Sequence, residues 1–193
     1  MMMRPASADL DLSLTRVTEH GLFVGVVGAS GAVGTAAVQI ARHCGADVTG
    51  VTSTANVELV AALGVRVIDH MQSDFATTGE TWDIIIDTTA TAPFVRCEQS
   101  LKPGGRLVLV LASFAQTLGI GRPPKASGKV VITGYVPARP EDLRTIAEWA
   151  SRGELKPAID RSYRLEDAAD TPRLRGPGRK RGSVVLVVAT DQL

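Results

Sequence analysis

Gly28, Gly31 and Gly34 recur at steps of three within GVVGASGAVGTAAVQIARHCGADVTGV, residues 25–51, where an apolar run gives way to a helical pattern. Glycines at the mouth of a helix let an anion approach the free backbone N–H groups and the positive end of the helix dipole. Gly31 would remove the Cβ facing such an anion, and Gly34 would let the helix pack closely. The spacing G-x-G-x-x-G is met except at its first place, where Ala29 stands; a tight turn with no ligand is the alternative reading of the same residues. Further on, the loop GVTSTAN offers Ser53, Thr54 and Asn56, with no Asp or Glu between Asp47 and Glu58. A dinucleotide site for NAD places a carboxylate about 20 residues beyond the glycines, on the adenine ribose. Its absence, with small hydrogen-bonding side chains in its place, leaves room for a 2′-phosphate and points to NADP(H). Thr54 serves equally well as the cap of a second helix.

Other chemistries fit less well. His43, Cys44 and Cys97 are the available metal-ligand types, but Cys44 belongs to the apolar stripe of the first helix and Cys97 to a short helix beneath LKPGG. Buried structural cysteine is the better reading, and no metal is expected. Tyr135 and Tyr163 are followed four residues on by Arg139 and Asp167, so there is no Tyr-x-x-x-Lys pair, and no Lys follows Gly34 as a phosphate-loop ATPase requires. SLKPGGRLVLV would suit a methyltransferase, but the acidic residue that fold needs after its second strand is missing. Arg179, Lys180 and Arg181 read as a solvated basic turn.

The elements that must position these residues alternate along the chain. LFVGVV is a continuous apolar run, as in a strand buried on both faces, and Val33, Ala36, Ala37, Ile40, Ala41 and Cys44 follow at helical spacing until Gly45. DVTGV, VRVID, WDIIID and RLVLVL read as the next strands, NVELVAAL and PFVRCEQSL as helices, and KPGG as a turn. KVVITGYV, 129–136, would be a sixth strand at an edge, and PEDLRTIAEWASRG a helix with Leu143, Ile146, Ala147 and Ala150 on one face. Such alternation predicts an α/β fold, a Rossmann-type doubly wound parallel sheet with a short C-terminal extension.

Composition agrees with this. The 193 residues are 45% hydrophobic and 21% charged with a formal net charge of +1, the profile of a globular chain with no need of a nucleic-acid or membrane partner. Two cysteines without C-x-x-C spacing form no disulfide framework, and the N-terminal stretch lacks the apolar segment of a signal peptide, so a cytoplasmic setting is expected.

GASGAVGTAAVQIARHCGADVTGVTSTANVELVAALGVRVID resembles the cofactor domain of the medium-chain dehydrogenase/reductase superfamily, in its quinone oxidoreductase-like, zeta-crystallin-like branch. The resemblance continues through IIIDTTA, CEQSLKPGGRLVLV, GELKPAIDRSYRLEDAAD and GRKRGSVVLVV. It implies hydride transfer between NADP(H) and a small carbonyl, enone or quinone. It also implies a pyrophosphate at Ser30, Gly31, Ala32, Val33 and Gly34, and an adenosine-phosphate loop at Ser53, Thr54 and Asn56. Thr88, Thr89, Leu111, Ala112 and Ser113 would line the nicotinamide ribose and ring. Relatives commonly carry a basic residue in the serine-threonine loop, where this chain has Ala55, and a tyrosine where His70 stands; His70 could donate to the phosphate or be an idle loop residue. Ala90 replaces the glycine of the family's DTVG, and Pro172 and Pro177 interrupt its last helix.

The organisation expected on this resemblance is an unassigned tail (1–21), a dinucleotide-binding domain (22–154) and a C-terminal segment (155–193) that in the family packs on a GroES-like catalytic barrel. No counterpart of that barrel is recognised here, so the catalytic residues are unknown. Two readings follow: a reductase whose pocket is completed by a second copy or by a partner supplying the barrel, or an inactive nucleotide-binding module or gene fragment. Pairing of the sixth strand across a two-fold axis would make a homodimer.

Overall fold

The computed structural model describes residues 21–112, 125–133, 139–169 and 181–188. Strands β1 (Phe23–Val27), β2 (Asp47–Thr52), β3 (Arg66–Asp69), β4 (Trp82–Asp87), β5 (Leu101–Leu109) and β6 (Val130–Thr133) form one parallel sheet in the order β3-β2-β1-β4-β5-β6. This is the doubly wound Rossmann arrangement, whose order reverses between β1 and β4. Between the strands lie helices α1 (Ala32–His43), α2 (Val57–Ala61) and α3 (Phe94–Cys97); α4 (Pro140–Ser151) follows β6. A second, two-stranded parallel sheet joins β7 (Ile159–Arg164) to β8 (Ser183–Val187).

The apolar strands are sealed on both faces. Val24, Val26 and Val48 pack with Val38 and Ala41 of α1 and Val60 of α2, while Ile85, Leu107 and Leu109 pack with Phe75, Trp82, Phe94 and Cys97. Helix α1 stops at Gly45, whose φ of +83° turns the chain back so that Gly45 N–H reaches Arg42 O and Ala46 N–H reaches Ala41 O.

Four details differ from the sequence expectation. KPGG is not a turn ahead of the strand: β5 runs through it as a bulge, with Trp82 opposite Leu101 and Ile84 opposite Arg106. Helix α2 is shorter than NVELVAAL. Val33 leaves the apolar stripe of α1 and is 51% exposed. Helix α4 buries none of its residues; its Trp149 stacks on His43, at 4.1 Å between ring centroids, and Leu143 is exposed. Ser113, residues 134–136 of the sixth strand, Pro172 and Pro177 lie outside the described residues.

The C-terminal strands are tied to α1. The Gln39 side-chain amide donates to Lys156 O (2.9 Å) and accepts from Lys156 N–H (2.8 Å), and Gly182 N–H donates to Ser30 O at 2.7 Å.

Candidate functional site

An open cleft of about 1040 Å³ lies over the C-terminal ends of β1, β2 and β4, where the strand order reverses. Its lining comes from the glycine turn after β1 (Gly28, Ser30, Gly31, Ala32 and Val33), from the end of β2 and the loop beyond it (Thr52, Ser53 and Asn56), and from residues that include His70, Met71, Phe75, Arg96, Thr88, Thr89 and Leu111.

The glycine turn leaves the N-terminus of α1 open on the cleft. Gly28, at φ +80°, has no room for a side chain: a Cβ would lie 2.3 Å from Thr89 Cγ2 and 2.6 Å from Thr88 Oγ1. At Gly34 a Cβ would fall 2.1 Å from Gly28 O, so this glycine lets α1 sit on the turn itself. Gly31 is different. The nearest atom to its Cβ would be Gly28 O at 3.5 Å, and its bare face opens on the cleft. Gly31 caps α1 without a side-chain hydrogen bond, and no acidic residue occupies the first turn. The first-turn N–H groups, which have no intrahelical partner, favour an anion there. Gly28 is the glycine whose conformation the turn requires; the near-match to the motif drew attention to Ala29 instead.

At the β2 end, Asn56 is buried and serves as a hub. Its Nδ2 donates to Ser30 Oγ (3.2 Å) and Ser53 Oγ (3.3 Å), and its Oδ1 accepts from Arg181 Nε at 2.8 Å; Arg181 Nη2 also donates to Ala55 O. Thr54 is held by Asp69, its hydroxyl donating to Oδ2 at 2.7 Å. That bond first, then those from Met71 N–H and the Gln72 side chain, hold the Asp69 carboxyl below the usual carboxylate range. His70 is exposed on the cleft wall, its backbone N–H paired with Thr52 O.

At the β4 end, Thr88 Oγ1 donates to Val27 O at 2.9 Å, which ties the threonine to the strand below the glycine turn. Asp87, fully buried, accepts from Thr89 N–H and Thr89 Oγ1 through Oδ1 and from Ala92 N–H through Oδ2, each at 2.8 Å. Leu111 is exposed on the cleft and Ala112 half-buried near it in sequence. Ala90 sits at φ +61°, the region glycine occupies without cost. An L-residue there loses about 1–2 kcal/mol, part of which glycine gives back as unfolded-chain entropy. Ala90→Gly should therefore raise unfolding free energy by up to about 1 kcal/mol, read from urea midpoints; a loss of stability would show that the Ala90 methyl is itself packed.

Of the residues singled out in the sequence, the structure brings Ser30, Gly31, Ala32, Val33, Ser53, Asn56, His70, Thr88, Thr89 and Leu111 to one cleft, while Gly34, Thr54 and Ala112 are not in its lining. Sequence reading missed Thr52, Arg96, Met71 and Phe75 of the lining and Asp69 on Thr54, and it set Arg181 aside. Arg181 carried a signal in its charge, but nothing local places it 125 residues away beside Asn56.

The sequence profile of the family described as zinc-binding dehydrogenase matches residues 63–186. The chain belongs to the zinc-binding dehydrogenase family. This is the medium-chain dehydrogenase/reductase superfamily of oxidoreductases. Among the relatives, acryloyl-coenzyme A reductase from Metallosphaera sedula is 29% identical over 86% of the chain and 51% of its own length. A phenolphthiocerol/phthiocerol polyketide synthase subunit from Mycobacterium tuberculosis is 31% identical over 83% of the chain and 8% of its own length. The chloroplast envelope quinone oxidoreductase homolog of Arabidopsis thaliana is 25% identical over 83% and 51%. Against solved structures, the quinone oxidoreductase of Coxiella burnetii superposes with a TM-score of 0.78 at 23% identity, over 93% of this chain and 58% of that one. A cobalt- and zinc-bound alcohol dehydrogenase from Pyrobaculum aerophilum gives 0.67 at 28% identity, over 88% and 50%. The chain spans about half the length of the acryloyl-coenzyme A reductase and of the Arabidopsis homolog.

Zinc does not fit the described residues. No three His, Cys, Asp or Glu side chains gather there with metal-ligand spacing. Cys97 is fully buried, with its Sγ donating to Ala92 O at 3.5 Å; burial first, then the Asp87 carboxylate, push its thiol up to about 12. Burial raises the Cys44 thiol as well, and His43 is turned to Trp149 and Glu154. A dinucleotide does fit, in the bare face at Gly31 and the polar wall from Thr52 to Asn56. Among the described residues no helix is long and apolar enough to cross a membrane.

Proposed function

We propose that the chain binds NADP(H) across this cleft and serves a cytoplasmic oxidoreductase that reduces an activated carbonyl, enone or quinone. The observation that carries the reading is the open face at Gly31 over the start of α1. A nicotinamide cofactor supplies hydride chemistry, and the protein's part is to orient it and exclude water. In this chain the Gly31–Val33 turn would hold the diphosphate, and Ser53 and Asn56 the adenosine end. His70 is kept as a rim donor to a 2′-phosphate, and Thr88, Thr89 and Leu111 as the wall nearest the nicotinamide. The hydroxyls of Thr88 and Thr89 are committed to Val27 O and Asp87, so neither is assigned the role of proton donor. The substrate class is supported by relatives named for acryloyl-coenzyme A, quinone and 2-methylene-furan-3-one reduction.

The preference for the 2′-phosphate rests on the loop after β2, which carries no carboxylate of its own, and on the Arg181 guanidinium bound to Asn56 and Ala55. The Asp69 carboxylate on Thr54 works against it. The balance should favour NADPH over NADH by about 1–2 kcal/mol in calorimetric titration; equal or inverted affinities would reject NADP(H) specificity. Gly31→Val should abolish binding of both nucleotides while leaving thermal stability within about 1 kcal/mol, because the new side chain meets the cleft and not the protein. Undiminished binding by this variant would place the diphosphate elsewhere.

We also propose a homodimer through β6, a terminal strand of the sheet, whose outer row of N–H and C=O groups is available to a second copy. Light scattering should report a dimer at tens of micromolar, weakened by Val131→Pro, and a monomer would reject it. A partner that completes the substrate pocket is part of the same reading.

A further inference from the structure

We infer that Arg181 and Asn56 form a relay through which the C-terminal segment turns the hydroxyl protons of Ser30 and Ser53 toward phosphate groups in the cleft. The inference rests on the proposed dinucleotide reading of the site. It follows from hydrogen-bond accounting. An arginine N–H only donates, so the Asn56 atom 2.8 Å from Arg181 Nε is the amide oxygen, and the orientation of the amide is settled. Its NH2 group then faces the two serines, at 3.2 Å from Ser30 Oγ and 3.3 Å from Ser53 Oγ, and donates to both. Each serine oxygen accepts through a lone pair, so its own proton must go elsewhere. Among the described residues no protein acceptor takes either proton, and both serines line the cleft.

A second observation marks the same wall as unfinished without a ligand. Thr52, between these residues at the end of β2, is 2% exposed and lines the cleft, and its Oγ1 is the buried side-chain polar atom without a partner among the described residues. Buried hydroxyls in native proteins are paired, so this residue of the cleft lining leaves one hydrogen bond still to be made. It adds a third hydroxyl to those of Ser30 and Ser53 among the residues that line the cleft.

Arg181 also keeps donor capacity. Of its five N–H groups, one goes to Asn56 and one to Ala55, and the charge stays beside Asn56. Its backbone neighbour Gly182 donates to Ser30 O at 2.7 Å, which fixes the segment against the turn. Arg181 is thus a positioning residue that acts through Asn56.

Phosphate at these hydroxyls has two sources in one dinucleotide, the diphosphate and a 2′-phosphate. Ser30, in the glycine turn, is assigned to the diphosphate, and Ser53, in the loop after β2, to the 2′-phosphate. The test is a mutant cycle read by calorimetry with NADH and NADPH, with apo thermal midpoints alongside. In the otherwise unaltered chain, Ser30→Ala should weaken both nucleotides roughly tenfold, and Ser53→Ala should weaken NADPH alone by a similar factor.

Asn56→Asp replaces the donor with a carboxylate, which draws the serine protons away from the cleft while keeping an acceptor for Arg181. In that background Ser30→Ala should cost less than about twofold, at an unchanged or higher apo midpoint. Arg181→Met, which frees the amide to flip, should reduce the Ser30→Ala cost in the same direction and carries the test if the Asn56→Asp variant does not fold. Equal Ser30→Ala costs in all backgrounds would overturn the relay and leave the dinucleotide reading standing. Failure of the unaltered chain to bind either nucleotide would overturn both.

Discussion

Gly34→Ala should destabilise the fold by more than about 3 kcal/mol and abolish dinucleotide binding with it. One methyl group is enough because of where it lands: 2.1 Å from Gly28 O, 2.8 Å from Ala29 Cα and 2.9 Å from Gly28 C. All three are backbone atoms, so no side chain can rotate aside. The backbone they belong to is pinned as well. Gly28 and Ala29 N–H both bond Val51 O at 3.1 Å, and Gly31 N–H bonds Gly28 O at 3.1 Å, so moving the turn breaks its anchoring to β2. Helix α1 must therefore lift, and Val38 and Ala41 leave the core with it. Urea unfolding followed by circular dichroism gives the measurement. A loss under about 1 kcal/mol would mean that the turn can open far more cheaply than close packing allows. The contrast with Gly31→Val, which should lose binding and keep the fold, separates two glycines that the motif treats alike.

Asp87→Ala should cost about 3–5 kcal/mol, the expected loss when a buried polar group is removed and its partners are left behind. Two backbone N–H groups, of Thr89 and Ala92, and the Thr89 hydroxyl would lose their acceptor, and the residue is 0% exposed, so water does not replace it. Asp87→Asn should recover little. Both carboxylate oxygens accept, and an amide offers one oxygen and turns its NH2 group against a donor. The same carboxylate shapes the turn that brings Thr88 to Val27 O, so nucleotide affinity should fall together with the unfolding midpoint. An Asn variant of native stability would show that one of the three bonds carries nearly the whole effect.

The parts of the fold legible in the sequence are those that local chemistry decides. Strands β1, β2 and β4 are short apolar runs because both faces of a parallel sheet are covered, and Gly45 ends α1 because the chain must enter the left-handed region there. KPGG misled because Pro and Gly mark turns; here Lys102 to Gly105 form a bulge that keeps β5 beside β4, and only the pairing partner reveals it. Leu143 of α4 misled in the opposite way. Its helical spacing is real, but periodicity says which residues share a face and not whether anything covers it.

The site divides along the same line. The glycine turn, the missing carboxylate after β2 and the pair Thr88–Thr89 are local patterns, and the sequence by itself determined a glycine turn between a buried strand and a helix at the head of a parallel sheet. Which glycine faces the cleft and which faces backbone was decided by the approach of α1 to the turn, a distance no spacing encodes. The charges around the loop after β2 were decided by chain return: Asp69 arrives at Thr54 from the neighbouring strand, and Arg181 reaches Asn56 from the far end of the chain. Hydrogen bonds depend on separation and angle in space, so residues far apart in sequence combine into one electrostatic environment only after the sheet has brought them within about 3 Å of each other.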